Sequence, residues 1–149
     1  MFRYLAILWN DQVAAQICHA RELSEQLQSP RAGWHCVCDE AGVLVYCRGS
    51  DPNLLTTYAL PDRGGVILGR LFGTSRTDPM TSVATAAHEV RARILIERSW
   101  GQYVAFLRDP EARIVRILRD PAGAMRCFFA RHRDLYIFCS LYGDRKSVV

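Results

Sequence analysis

WGQYVAFLRDPEARIVRILRDPAGA, residues 100–124, is the stretch that decides how this chain folds. Its apolar residues fall in two short runs, Tyr103–Leu107 and Ile114–Leu118, and each run ends in Arg-Asp-Pro. Short apolar runs closed by turn formers read as strands. The motif LRDP occurs twice, at Leu107–Pro110 and Leu118–Pro121. A repeated ligand loop is one reading of the echo. Turn chemistry is the simpler one for the first copy, because Asp bonds the backbone of its own turn and Pro cannot continue a central strand. The second copy differs by an added Gly123.

The same criteria extend outward. RCFFAR (126–131) and LYIFCS (135–140) read as a further strand pair around an HRD turn. Upstream, Thr81 or Ser82 caps a helix running to about Ser99, with Val83, Ala87, Val90 and Ile94 on one face and Gly101 as its stop. Gly73–Met80, rich in Thr, Ser, Asp and Pro, reads as irregular, and VILG (66–69) as a short core strand. Trp34–Cys38 and Val43–Cys47 form a hairpin around Asp39–Gly42, followed by a loop at Arg48–Asn53. Phe2–Trp9 reads as a buried strand. A helix capped by Asn10 or Asp11 follows it to about Gln28, with Val13, Ile17, Ala20 and Leu27 as its apolar stripe, and Ser29-Pro30 stops it. Helices and hairpins in this mixed order predict an α+β fold with a largely antiparallel sheet.

With 149 residues, 50% of them hydrophobic and 23% charged, the chain is expected to form one globular domain. The opening MFRYLAILWN is too short for a secretory signal or a membrane span, so a cytoplasmic protein with no membrane partner is expected. The net charge of +4 comes from arginines spread singly, and the aromatics sit at core-like positions; neither feature predicts nucleic-acid binding. Six cysteines and four histidines lack zinc-ligand spacing, so no metal is expected. Cys36 and Cys38 alternate around Val37 and are expected on one face of a strand. The cysteines read as small buried thiols and the histidines as surface or satisfied polar residues.

From Trp100 to Ser140 the chain resembles the glutaminase-type domain at the front of asparagine synthetases. WGQYVAFLRD resembles the family's "xGxFAFALYD" strand, RDPAGAMRCFF its "RDxxGxxPLYY" turn and strand, and LYIFCS its "LxxASE" strand. VILGRLFG (66–73) stands where the family has "xxNGEIYN", with Gly69 as the matching residue. The resemblance implies an N-terminal-nucleophile hydrolase fold, an αββα sandwich of two mainly antiparallel sheets flanked by helices. It also places Gly123 where the turn backbone needs a positive φ. A closer likeness is to the asparagine-synthase-related proteins that close the macrolactam ring of lasso peptides, which share the "WGxYVAFLRD" and "LRDPxGA" wording.

The resemblance equally implies what is missing. Active glutaminases carry Cys after the initiator Met, and its thiolate attacks the glutamine amide with the α-amino group as base. Phe2 stands there. Leu68 replaces the Asn that donates to the oxyanion, a loss that typically costs ~10²–10³ in rate. The "RHRGPD" loop has no counterpart between Arg48 and Asp62, and TSVATAA (81–87) lacks the acidic residue of "GSDxE".

No catalytic residue is therefore expected. The family-like turn and interdomain candidates are Gly69, Arg119, Asp120 and Gly123. Arg119 and Asp120 are expected as a pair facing a following domain.

The expected organisation is a degenerate glutaminase-like domain over 1–142 and a polar tail over 143–149. DRKSVV reads like a truncation artefact, and a synthetase domain that would bind ATP and Mg is expected downstream; no cofactor is expected in this chain. The principal reading is a non-catalytic domain of an ATP-dependent amide-forming ligase. Its partners would be the synthetase domain and, in the lasso case, a precursor peptide. Two alternatives stand beside it: a glutamine-hydrolysing amidotransferase with a misassigned start, and a stand-alone peptide-binding module.

Overall fold

Strand β1 (Arg3–Leu8) is buried on both faces, as an uninterrupted apolar run dictates. It occupies the centre of a five-stranded sheet ordered β2-β3-β1-β9-β8, with β2 at His35–Glu40, β3 at Val43–Arg48, β8 at Phe128–His132 and β9 at Leu135–Cys139. The second sheet has four strands ordered β4-β5-β6-β7: Thr56–Ala59, Gly65–Gly73, Ser99–Asp109 and Ile114–Arg119. Every pairing is antiparallel. Among the described residues three helices accompany the sheets, α1 at Ala14–Leu27, α2 at Pro79–Thr85 and α3 at His88–Arg98, so the fold is α+β with two antiparallel sheets. The computed structural model describes residues 2–49, 56–74, 76–141 and 143. Residues 50–53 of the Arg48–Asn53 loop and 144–149 of the tail lie outside the described residues.

The chain divides into two compact units, Met1–Asp51 with Arg126–Val149, and Pro52–Met125. In the first, Ala20, Leu23 and Leu27 of α1 cover Leu5, Ile7, Leu44, Tyr46, Leu135 and Ile137. Leu23 belongs to the buried stripe, whereas Val13 is exposed. The helix also starts later than Asn10 or Asp11 would place it. Val13 is the N-cap without a side-chain bond, while Asn10 Oδ1 accepts the Gln12 N–H at 2.9 Å in a turn of its own.

In the second unit, Val83 and Leu95 pack on Ile67, Tyr103, Ala105 and Leu107. The single helix expected from Thr81 to Ser99 is two helices. Asp78 caps the first, accepting the Met80 N–H at 3.3 Å with Pro79 in the first turn, inside the stretch read as irregular. Ala86 and Ala87 are extended and break the helix despite high helical propensity. At the break lies Arg91, 1% exposed, whose guanidinium donates to the carbonyls of Ala84 and Ala86 at 3.2 and 3.1 Å. Strand β6 then begins at Ser99, so Gly101 lies inside a strand rather than ending a helix. Strand β4 was not foreseen in the sequence, and β5 runs well beyond VILG.

The cysteine pair is a further correction. A bulge at Val37 pairs Cys36 with Tyr46 but Cys38 with Val45, so the two thiols face opposite sides of the sheet. Cys36 and Cys18 are exposed, whereas Cys38, Cys47 and Cys139 are buried. Burial, with a smaller contribution from Cys36, pushes the Cys47 thiol up to about 12. At pH 8.5 Cys47 should then carry roughly one thiolate in three thousand, and thiolate is the reactive form. Brief alkylation of the folded protein at that pH, read by peptide mass spectrometry, should label Cys18 first and leave Cys47 unmodified. Equal labelling of the two would show that β3 is not buried as described.

Candidate functional site

The residues singled out in the sequence from Leu68 to Gly123 are brought together on the β5-β6-β7 sheet. Gly69 pairs with Tyr103, whose carbonyl accepts the Asp120 N–H at 3.0 Å. The adjacent row runs Leu68–Val104–Arg119. Gly69 sits at φ +117, where a Cβ would stand 2.1 Å from the Gln102 carbonyl oxygen, so β5 and β6 approach too closely there for any side chain. Leu68 is fully buried. Phe2 is half-buried just ahead of β1, in the other unit.

The second LRDP turn is held by Asp120, which is 2% exposed. Its two carboxylate oxygens accept the N–H groups of Ala124 at 2.9 Å and Met125 at 3.2 Å, and its carbonyl accepts the Gly123 N–H at 2.9 Å. Gly123 has φ +64, the positive value the turn was expected to need. Asp109 does the same at the first copy, accepting from Glu111 and Ala112 at 3.2 and 3.0 Å. Turn chemistry thus accounts for both copies.

Arg119 and Asp120 do not form the expected pair. Arg119 is exposed, with its head over Gly123, and Asp120 turns inward to the backbone. Tyr103, buried beside this carboxylate, has its hydroxyl pKa raised by burial first and by Asp120 second.

Beyond this row the same face of the sheet opens into a cleft of about 350 Å³. Arg70 pairs with Gln102 and Phe72 with Trp100, so these four side chains share one face in two successive rows. Gly101 and, from the Asp120 turn, Ala122 and Ala124 also line it. Phe72 and Trp100 stack with ring centroids 4.6 Å apart and 27° between planes, yet remain 43% and 57% exposed.

The aromatics are therefore not all at core positions. Phe129 and Tyr136, on β8 and β9, are also exposed and stacked. The cleft was missed because Phe72 lies beyond the VILG strand that was read, and its pairing with Trp100 was not foreseen. The signal available was the spacing of Arg70 and Phe72, two residues apart in GRLFG, which puts both on one strand face.

The lining offers two stacked rings, a guanidinium and a primary amide. Among the described residues no group of three or more His, Cys, Asp or Glu converges on a metal position, and none of the cleft's side chains is a nucleophile. Among the described residues no helix is long and apolar enough to cross a membrane. No family model, curated protein or solved structure matches the chain.

Proposed function

We propose that this chain is a glutaminase-like domain of the N-terminal-nucleophile hydrolase type that has lost amide hydrolysis and serves an asparagine-synthase-related, ATP-dependent amide-forming ligase as a binding and docking domain. The observation that carries the reading is Leu68. At the position where the resemblance calls for an oxyanion donor, a fully buried leucine pairs with Val104 and offers no donor at all. Two antiparallel sheets, with α1 packed on one and α2 and α3 on the other, are compatible with the αββα architecture the resemblance implies. The position implied for the nucleophile holds Phe2. In a ligase whose amine is supplied by a peptide rather than by glutamine-derived ammonia, the domain can lose its chemistry while keeping its fold.

A second reading, a peptide-binding module acting by itself, is favoured by the exposed Phe72–Trp100 cleft. Both readings predict that the purified chain releases no ammonia from millimolar glutamine above a buffer blank. Turnover that disappears when one cysteine is replaced by alanine would restore the amidotransferase alternative and remove the non-catalytic one.

A further inference from the structure

We infer that this chain pairs with a second copy of itself through strand β8, running antiparallel about a two-fold axis at Ala130. Among the described residues β8 ends the five-stranded sheet, with β9 as its neighbour. Arg133 and Asp134 turn β8 into β9, and His132 pairs with Leu135 across them. In a two-residue hairpin the pair that closes the turn exchanges hydrogen bonds, and bonded pairs recur at every second residue. Ala130 with Ile137 and Phe128 with Cys139 are therefore bonded pairs, and the N–H and C=O groups of Phe129 and Arg131 point away from β9. A row of this kind is a template for a further strand. β2, at the other end of the sheet, carries the bulge at Val37, which breaks regular pairing.

Phe129 and Arg131 also share one face with an exposed aromatic cluster. Phe129 is 59% exposed and Tyr136 44%. The Phe129 ring centroid lies 6.0 Å from that of Tyr136 and 5.2 Å from that of Phe138, and the Arg131 guanidinium sits 5.7 Å over the Tyr136 ring. Outward backbone groups and exposed rings together supply both means by which strands associate, ladder bonds and cross-strand side-chain pairs.

The sequence of β8 selects a second copy as the occupant. Two antiparallel strands related by a two-fold axis set one residue opposite itself. With Ala130 there, Phe129 faces the partner's Arg131, so each guanidinium lies between Tyr136 of its own chain and the partner's Phe129. Extending the register past the strand brings Arg126 opposite the partner's Asp134. An axis at Arg131 would set two guanidiniums against each other, and an axis at Phe129 would set Arg126 against the partner's His132. Helix α1 packs over β1, β3 and β9, so β8 and the partner's β8 separate the two helices. β8 lies outside the sheet that holds Leu68 and the cleft, and the pairing does not depend on the function proposed above.

The test is sedimentation velocity of the full chain from about 1 to 500 µM. A pair of five-residue strands is at the small end of specific interfaces, so a reversible dimer with a dissociation constant on the order of 10–100 µM is expected. Phe129→Lys, which removes the ring and sets a cation against the partner's Arg131, should weaken it at least about tenfold. Arg126→Asp and Asp134→Arg should each weaken it about tenfold, because the two-fold axis makes every substitution act twice. Combining the two should restore the wild-type constant. Within one chain these residues flank opposite ends of β8, so the recovery reports a contact between copies. Far-UV circular dichroism establishes that the variants are folded, and if Phe129→Lys is not, the charge exchange alone decides.

The inference is overturned if the chain sediments as a monomer throughout, if folded Phe129→Lys dimerises as the wild type does, or if the double variant shows no recovery. It is also overturned if a monomeric wild type binds an acetylated, amidated Thr-Val-Thr-Val-Thr peptide that Phe129→Lys does not bind, since the edge would then serve a foreign strand.

Discussion

Arg91→Met is expected to lower the unfolding free energy by about 3 kcal/mol or more, measured by urea denaturation followed by circular dichroism. The guanidinium donates from Nε to Ala86, from Nη2 to Ala84 and from Nη1 to Pro61, at 3.1, 3.2 and 3.3 Å. It thereby ties the end of α2, the start of α3 and the turn before β5 into one connection. Burial lowers its pKa, partly opposed by Asp62, but a guanidinium stays charged at neutral pH.

Desolvating that charge is costly, so exchanging a buried cation for an apolar side chain can be neutral when its partners leave with it. Here they cannot leave, because all three are backbone carbonyls. Each carbonyl left without a donor costs ~1–3 kcal/mol, and methionine keeps the length of the side chain, so a cavity is not the main cause. Gly64 provides the cross-check. A Cβ on it would stand 1.9 Å from Arg91 Nη1, so Gly64→Ala should displace the same guanidinium. The two substitutions should be clearly less than additive when combined. A denaturation midpoint unchanged in Arg91→Met would show that water or other groups serve those carbonyls.

The sequence made most strands and one helix legible, and the reasons are local. LRDP marked both turns correctly because an Asp that bonds its own turn needs nothing from elsewhere in the fold. β1 was legible as a bounded apolar run, and α1 as a 3.6-residue stripe. Where the reading failed, a distant group had overruled local preference. Alanines at 86 and 87 favour helix, yet both are extended where the buried Arg91 guanidinium takes the carbonyls of Ala84 and Ala86. Cys36 and Cys38 read as one face because alternation hides a bulge until the partner strand is known. The cleft stayed invisible for a related reason. Its two aromatics come from strands β5 and β6, and only the pairing of Phe72 with Trp100 brings them together. Arg119 and Asp120 read as a pair facing a following domain, but β7 ends between them, sending one side chain outward and the other into its own turn.

Asp120→Ala should accordingly be among the most destabilising substitutions in the chain, at about 2–4 kcal/mol, although a surface doublet would have lost almost nothing. Its carboxylate accepts two backbone N–H groups, at Ala124 and at the buried Met125, and charge-assisted bonds of this kind contribute ~1.5–3 kcal/mol each. Alanine keeps the backbone bonds to Tyr103 and from Gly123 but leaves the Met125 N–H without its acceptor in a buried position. Asp120→Asn separates geometry from charge. One amide oxygen can still accept, so its loss should be intermediate, while the second N–H meets an NH₂ group that cannot accept. Thermal unfolding of the three proteins side by side reads the order wild type, Asn, Ala.

The same turn sets Ala122 and Ala124 as a wall of the cleft. Arg119→Ala, at the exposed end of β7, should by contrast leave stability unchanged. If Asp120→Ala melts with the wild type, the carboxylate does not hold the turn, and the cleft wall must be fixed by the backbone bonds of Asp120 alone.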